Sequence, residues 1–516
     1  MRKTVVINKA HNYLRITDYS EEFVNRVIMP FCRRYLYKYA KKPIPGTRKT
    51  QSYVSHVFAR MNNDKTEFRI SAGLLKEFLS FMEYCGYAPN RALVLDEPEI
   101  VPTRVQFEWN KGWGGYKPGS EQEQKEWCDY QIADGPIKVN NAGTGVGKSF
   151  CATKLMVDMG VRGLITALPR YIPIWSKCLF QYLKLSVEDV VYVESGGLEE
   201  LAENIQKGII NPKIIILPLT RIDSHYKRMR EDDTVPDLDE LYAKMGIGLR
   251  IMDEGHESVY QVYMSMLYGN FSKTLALSAT LKADDALQNR IYSYIYPQSI
   301  RLKDGESKKY IDVYAYHHWI DIRKFRINPR GFGGYNHVKF EQGIMKSPYL
   351  LGRYYELCKQ AFEEFYVKDL LPEQKALWFF ATVEMCVNML EFFKRDYPEM
   401  DFGKYTNEES SKADTKDNYL KHQVLITTPQ SCSTGKDIEK LYVAFSPYAV
   451  SSKQRNAQSL GRLREITKWW PDLSPKYVYF VCQNVDKQVD YHRKRMEEFA
   501  NKAKSITNIN SGHSIP

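Results

Sequence analysis

The sequence predicts an α/β protein: two tandem parallel-sheet lobes preceded by a small α+β accessory domain. Three observations predict it. The stretch "IKVNNAGTGVGKSF", Ile137 to Phe150, reads as strand, glycine-rich turn and helix. From about residue 135 to 300, apolar strand-like runs alternate with helical patterns, as in a parallel sheet covered on both faces. The same alternation resumes from about 346, without a second glycine-rich loop. The expected organisation is an accessory, candidate DNA-binding domain over 1–100, lobe one over 101–305, a connector over 306–345, and lobe two with a C-terminal helix over 346–516.

The glycine-rich turn carries the most chemistry. Gly143, Gly145 and Gly147 let the backbone curl so that successive N–H groups, with those of Thr144 and Val146, face one point. The helix that follows adds its positive end. Lys148 can then reach the outer phosphates of a nucleoside triphosphate, and the Ser149 hydroxyl can hold Mg²⁺. Ala142 stands where such loops usually have their first glycine.

Bulk properties set looser bounds. A chain of 516 residues should hold about three domains. Hydrophobic residues are 43% and charged residues 26%, ordinary for a globular protein. The net charge of +11 weakly favours an anionic partner. Nine scattered cysteines with no C-x-x-C pair fit a reducing cytoplasm better than a disulfide framework. No apolar run approaches the roughly 18 residues of a membrane span, and the start has no secretion-type apolar core.

Taken in order, "KTVVINKAHNYLRI" alternates like a strand pair. "EEFVNRVIMPFCRRYLYKYAKK" reads as one helix, carrying Arg33, Arg34, Lys38, Lys41 and Lys42 with Tyr35, Tyr37 and Tyr39 interleaved. That cluster suits nucleic-acid phosphates and bases, or equally a solvated helix face over a tyrosine-rich core. "SAGLLKEFLSFMEYCG" is a second helix, with Ser71 as N-cap and Gly86 as its stop. Gln131, upstream of the glycine-rich loop, is the candidate reader of an adenine edge.

In lobe one, "RGLITALPR", "VVYVESGG" and "KIIILPLTR" are strands ending near Arg170, Gly197 and Thr220, candidate contacts to a phosphodiester backbone. "GLRIMDEGHE" delivers Asp253 and Glu254 side by side, roughly a hundred residues beyond the loop. Asp253 would hold the metal and Glu254 would orient and deprotonate the attacking water. His256 is placed to sense the γ-phosphate, and "TLALSATL" follows as the next strand. His317-His318 invites a metal reading, but neighbours on a strand point to opposite faces and no third ligand is evident.

In lobe two, "KALWFFAT" and "KLYVAFSPY" are buried strands, and "HQVLITTPQSCSTGKDI" runs from strand into a turn with Thr434. "SKQRNAQSLGRLRE" begins a helix bearing Gln458, Arg462 and Arg464. With no phosphate loop of its own, lobe two is expected to supply arginines to a nucleotide held by lobe one. The last dozen residues are expected to be mobile.

"AGTGVGKS", "DEGH", "SAT", "STGKD" and "QSLGR", in this order, resemble the motifs of superfamily 2 helicases and translocases from Gln131 to Arg464. More narrowly, "LLKEFLSFMEYCGY", "STG" and "Q-x-x-GR" resemble the UvsW-type helicases of T-even phages, which also carry a small N-terminal domain. The resemblance implies two RecA-like lobes, ATP and Mg²⁺ as cofactors, and movement on DNA with unwinding, branch migration and fork remodelling. By that resemblance Lys148 and Ser149 bind phosphate and metal, Asp253 and Glu254 run hydrolysis, and Arg462 is an arginine finger. It implies DNA (branched, forked, duplex or single-stranded), and replication or recombination proteins, as partners in a cytoplasmic setting. Two positions depart from it: Glu465 stands where a second arginine is usual, with Arg464 one residue early, and Gly255 replaces the usual Ala or Cys.

Three rivals stand beside this reading: an RNA helicase, an ATP-binding structural or assembly factor, and a nuclease or restriction motor subunit. No second carboxylate cluster suited to metal-dependent cleavage is evident in the sequence, which weighs against the last.

Overall fold

A computed structural model describes residues 4–44, 50–117, 120–142, 147–193, 197–256, 258–278, 281, 285–302, 309–331, 334–406, 421–431, 438–500 and 502–516, with the backbone alone at Pro43, Pro89, Lys453, Gln454 and Gln458. The chain divides into two units, Met1–Asp304 and Gly305–Pro516. No helix among the described residues is long and apolar enough to cross a membrane.

The first unit opens with a five-stranded sheet in the order Arg60–Met61, Phe68–Ser71, Tyr13–Thr17, Val5–Lys9, Ala92–Asp96. Val5–Lys9 pairs parallel with Ala92–Asp96; the other pairings are antiparallel. Alternation explains these strands: Val5 and Ile7 are buried on one face while Val6 and Asn8, on the other, are half-buried. Ser71 caps a 3₁₀ turn that leads into helix Leu75–Tyr84, and Gly86, at φ +83°, ends it. The helix expected to run through Lys42 stops at Tyr35. Tyr37–Pro43 is instead a strand, paired antiparallel with Thr50–Val57. The physical reason is in the residues: from Tyr37 onward aromatic and basic side chains alternate, a two-residue period that a helix cannot place on one face.

Lobe one follows in the same unit. Its six strands lie in the order Val190–Tyr192, Ile214–Pro218, Gly163–Ala167, Leu249–Asp253, Lys273–Leu277, Ile137–Asn140, and every pairing is parallel. Ile214–Pro218 and Lys273–Leu277 are buried throughout, because helices cover both faces of a parallel sheet. The accessory sheet docks onto this lobe through polar contacts as well as apolar ones. Arg69, buried, reaches Asp237 and Asp239, and Asn12 Nδ2 donates to the Met266 carbonyl at 2.7 Å.

The second unit is built on seven parallel strands in the order Phe402–Tyr405, Val424–Thr427, Lys375–Phe379, Leu441–Ser446, Lys476–Cys482, Ile311–Ile320, Ala503–Ile515. Its core is aromatic: Trp378 stacks on Phe445 at 4.1 Å between centroids. Within the segment expected as a strand-loop-strand connector, the strand Ile311–Ile320 belongs to this sheet and is paired on both sides. One segment differs from expectation. The tail expected to be mobile forms the edge strand Ala503–Ile515, anchored by buried Ala503 and Ile515 and by Ser505 Oγ on Asp312 at 2.6 Å. Its largely polar, exposed side chains disguise it, since an edge strand facing water needs little apolar content.

Candidate functional site

Because every strand of lobe one runs the same way, all six carboxyl ends open onto one edge of the sheet. Three neighbouring strands, Ile137–Asn140, Lys273–Leu277 and Leu249–Asp253, bring Asn140, Ser278 and the Asp253-Glu254 pair to that edge together. The other three deliver Arg170, Gly197 and Thr220 along the same edge. Arg170 sits in the turn Pro169–Tyr171 with its guanidinium over the Tyr171 ring. Gly197 precedes helix Leu198–Gln206 and has open space where a side chain would be. Thr220 is exposed in the first turn of helix Leu219–Glu231.

Helix Lys148–Met159 starts at Gly147, whose φ of +99° excludes most side chains. Lys148 Nζ bends back to the Ala142 carbonyl at 2.9 Å, and Ser149, half-buried, occupies the first turn. Asn140 ends the preceding strand; its Oδ1 accepts from the Ala142 N–H at 3.1 Å, and its buried Nδ2 has no partner among the described residues. Gly143, Thr144, Gly145 and Val146 lie outside the described residues.

The carboxylates are held from two sides. Trp175 Nε1 donates to Asp253 Oδ2 at 2.8 Å, and the Glu254 N–H donates to Asp253 Oδ1 at 3.0 Å. Burial, then the neighbouring Glu254 charge, push the Asp253 carboxyl up to about 7, against the lowering pull of Trp175 and Lys148. Glu254 adopts φ +48°, a left-handed conformation uncommon for a non-glycine residue and costly enough to be kept at functional turns. His256 Nδ1 is 2.8 Å from Ser278 Oγ and 3.1 Å from Glu254 Oε2. Burial, with the charges of Lys148 and Arg170, lowers the His256 pKa to about 3, so its ring is neutral. Its Nε2 is buried and has no partner among the described residues.

Two residues at this edge escaped the sequence reading. Trp175 carries no signal in an unaligned sequence. Gln124 had one. Helix Glu121–Ile132 leads into strand Ile137–Asn140, so its amino-terminal half should lie near the strand's carboxyl end. A side chain at Gly147 would run into the Gln124 amide nitrogen, while Gln124 Oε1 accepts from the Lys117 N–H at 2.8 Å. Gln131 sits at the other end. Its carbonyl, at 3.3 Å, accepts from Lys273 Nζ at the start of a strand, away from Lys148. Its amide is buried with neither end partnered among the described residues. The two glutamines are seven residues apart, about 10 Å along a helix. The structure therefore places Gln124 beside Gly147, at the start of helix Lys148–Met159.

In the second unit, Arg462 is half-buried in the turn after helix Lys453–Leu460, with Gly461 as the helix's last cap. The helix is pinned by Asn456, which accepts from the buried Arg495 at 3.0 Å and donates to Glu498 at 3.2 Å. Arg464 Nη1 donates to the Gly461 carbonyl of its own turn. The Gln458 side chain and Thr434 lie outside the described residues. His318 is buried and His317 reaches Asn508 Oδ1 at 3.0 Å; among the described residues no cluster of three His, Cys, Asp or Glu is arranged to hold a metal ion.

No protein-family model matches the sequence, and neither does any curated protein. Among solved structures, the chain is similar to S. cerevisiae Dbp5 bound to RNA and ADP BeF3, at 11% identity and TM-score 0.48 over 75% of this chain and 89% of that one. It is similar to T4 UvsW at 12% identity and TM-score 0.33, over 99% and 100%. It is also similar to a DEAD box protein from the hyperthermophile Methanococcus jannaschii, at 15% identity and TM-score 0.41, over 78% and 100%. Likeness at this level assigns no activity. The chain has an α/β fold with two parallel-sheet lobes and a small N-terminal sheet domain.

Proposed function

We propose that the chain is an ATP-dependent DNA helicase or translocase of the superfamily 2 type, acting on branched or forked DNA in replication or recombination. One observation supports the reading most: Lys148, Asp253, Glu254, His256 and Ser278 share one sheet edge, with the carboxylate loop and the next strand joined through His256. The residues fit a nucleoside triphosphate with its magnesium ion. The amino end of helix Lys148–Met159 and Lys148 suit phosphate oxygens, and Ser149 and Asp253 suit the metal. Bound magnesium neutralises phosphate charge. Glu254 would take the proton of the attacking water. Gln124 is the better candidate than Gln131 for the base.

His256 then links hydrolysis to Ser278, and Arg462 of lobe two would complete the transition-state charge. Arg170, Gly197, Thr220 and Thr434 are the candidate contacts to the DNA backbone. DNA as the substrate follows the motif resemblance. The test is ATP turnover and strand displacement with single-stranded, duplex, forked and four-way DNA and with matched RNA. Stimulation by forked DNA, lost in Lys148→Ala, is expected. Stimulation by RNA alone would make the chain an RNA helicase, and no turnover with any nucleic acid would make it an assembly factor.

A further inference from the structure

The accessory domain carries a feature that the nucleotide site does not use. Among the described residues, strands Tyr37–Pro43 and Thr50–Val57 pair only with each other, outside the five-stranded sheet. Their surroundings are open: Tyr39, Lys41, Lys42, Gln51, Ser52, Tyr53 and Val54 are all exposed, Tyr39 at 55% and Tyr53 at 45%. Large rings are rarely left to water on both faces of a ribbon without a use. The register sorts the side chains. Tyr37, Tyr39 and Lys41 lie on one face, opposite Val57, Val54 and Ser52; Lys38, Ala40 and Lys42 lie on the other, opposite His56, Tyr53 and Gln51. Each face thus presents lysine and tyrosine together, with Lys42 Nζ 5.8 Å from the centre of the Tyr53 ring.

The charge is one-sided. Between Glu22 and Asp64 the sequence has no acidic residue, and Arg33 and Arg34, at the end of helix Met29–Tyr35, are exposed beside the ribbon. The root of the ribbon is rigid. Phe58 is fully buried, its ring 5.3 Å from Tyr263 and 5.4 Å from Tyr260, and His56 packs on Tyr260 at 4.5 Å. Both tyrosines belong to helix Val259–Ser265, which begins three residues after His256. The ribbon is therefore seated on the element that leaves the carboxylate loop.

We infer that this ribbon is a nucleic-acid arm: Lys41 and Lys42 hold phosphates while Tyr39 and Tyr53 stack on exposed bases at a branch or single-stranded end. The inference rests on the function proposed above and adds a contact separate from the lobe-one sheet edge. Lys38 faces Asp285 at 3.9 Å, which leaves Lys41 and Lys42 as the exposed charge; phosphates answer that pair, and base faces answer the exposed rings beside it, a pairing that an acidic protein surface would not require.

The test is fluorescence anisotropy of a labelled DNA fork with the full chain across a salt series. The variants are Lys41→Glu/Lys42→Glu, Tyr39→Ala/Tyr53→Ala and a charge-matched control, Lys184→Glu/Lys207→Glu. The control lysines follow helices Ile172–Tyr182 and Leu198–Gln206, at the amino-terminal edge of lobe one. The lysine pair is expected to weaken binding at least tenfold and to lower the log–log salt slope by about 2, at 0.9 per phosphate contact. The tyrosine pair is expected to weaken binding at least about fivefold at unchanged slope, within the range of lost base stacking. Both hairpin variants binding like the control would overturn the inference while leaving the helicase reading intact. Loss of polyglutamate binding with DNA affinity kept would also overturn it, making the ribbon a protein dock. A parent chain that hydrolyses no ATP on any nucleic acid, yet whose fork affinity depends on the ribbon, would sink the motor reading and keep the arm.

Discussion

His256 and Ser278 are joined by a hydrogen bond of 2.8 Å, which ties the turn after Asp253 and Glu254 to the end of the adjacent strand. If that bond transmits the hydrolytic state, Ser278→Ala should cut strand displacement more than ATP turnover. A buried hydrogen bond is worth about 1.5 kcal/mol, roughly tenfold in an equilibrium or rate. The check is the number of ATP molecules consumed per base pair opened, which should rise roughly that much. An unchanged ratio would leave the bond a purely structural one.

Trp175 holds one oxygen of Asp253 at 2.8 Å and makes no claim on the other. Trp175→Phe keeps the packing and removes the donor. The magnesium concentration for half-maximal turnover is expected to shift several-fold, with the maximal rate less affected. Titrating magnesium at saturating ATP measures it.

Gly147 combines φ +99° with a neighbour, Gln124, that occupies the place of a side chain. Gly147→Ala should cost about 1–3 kcal/mol of local strain. The expected result is a lower melting temperature and at least tenfold weaker binding of a fluorescent ATP analogue. Gln124→Ala, without the strain, should weaken adenine nucleotides more than guanine nucleotides.

In the second unit, His337 and Glu341 are buried 3.7 Å apart and titrate in opposite senses. His337 Nδ1 accepts from the Ala449 N–H at 3.3 Å, and burial lowers its pKa from 6.5 to about 3. Its contribution to stability is present above pH 6.5 and lost as pH falls toward 3. Glu341 accepts from Ala381 and Thr382, yet burial raises its carboxyl from 4.5 to about 7. Its contribution is present below pH 4.5 and lost as pH rises through 7. The two slopes oppose each other between pH 4.5 and 6.5. Relative to the parent, Glu341→Gln should make the urea midpoint climb with pH across that window, and His337→Asn should make it fall. Urea unfolding of both variants at four pH values checks the sign.

Much of lobe one was legible because parallel strands announce themselves: runs such as Ile214–Pro218 are wholly apolar, and the residues after each run necessarily reach the same edge. Asp253, Glu254, Lys148 and Ser278 needed only that rule to be brought together. Helix direction is legible too: Gln124 lies in the half of helix Glu121–Ile132 that sits near the carboxyl end of strand Ile137–Asn140, and Gln131 in the half that leads into the strand. The ribbon at Tyr37–Pro43 is hard to read because "KYAKK" suits a helix by propensity, while the two-residue alternation of Tyr37, Tyr39 and Lys41 marks the strand. The tail strand Ala503–Ile515 has no core-facing pattern to read, since it is specified by pairing with Ile311–Ile320. Trp175 was out of reach, because a buried indole aimed at a carboxylate depends on a packing angle that no local pattern records.

The most direct measurement is nucleotide binding set against turnover in Glu254→Gln. The account expects this variant to bind the ATP analogue as the parent does while fork-stimulated hydrolysis falls by about 10² or more, the scale of a lost general base. Hydrolysis by Glu254→Gln at the parent's rate would contradict it.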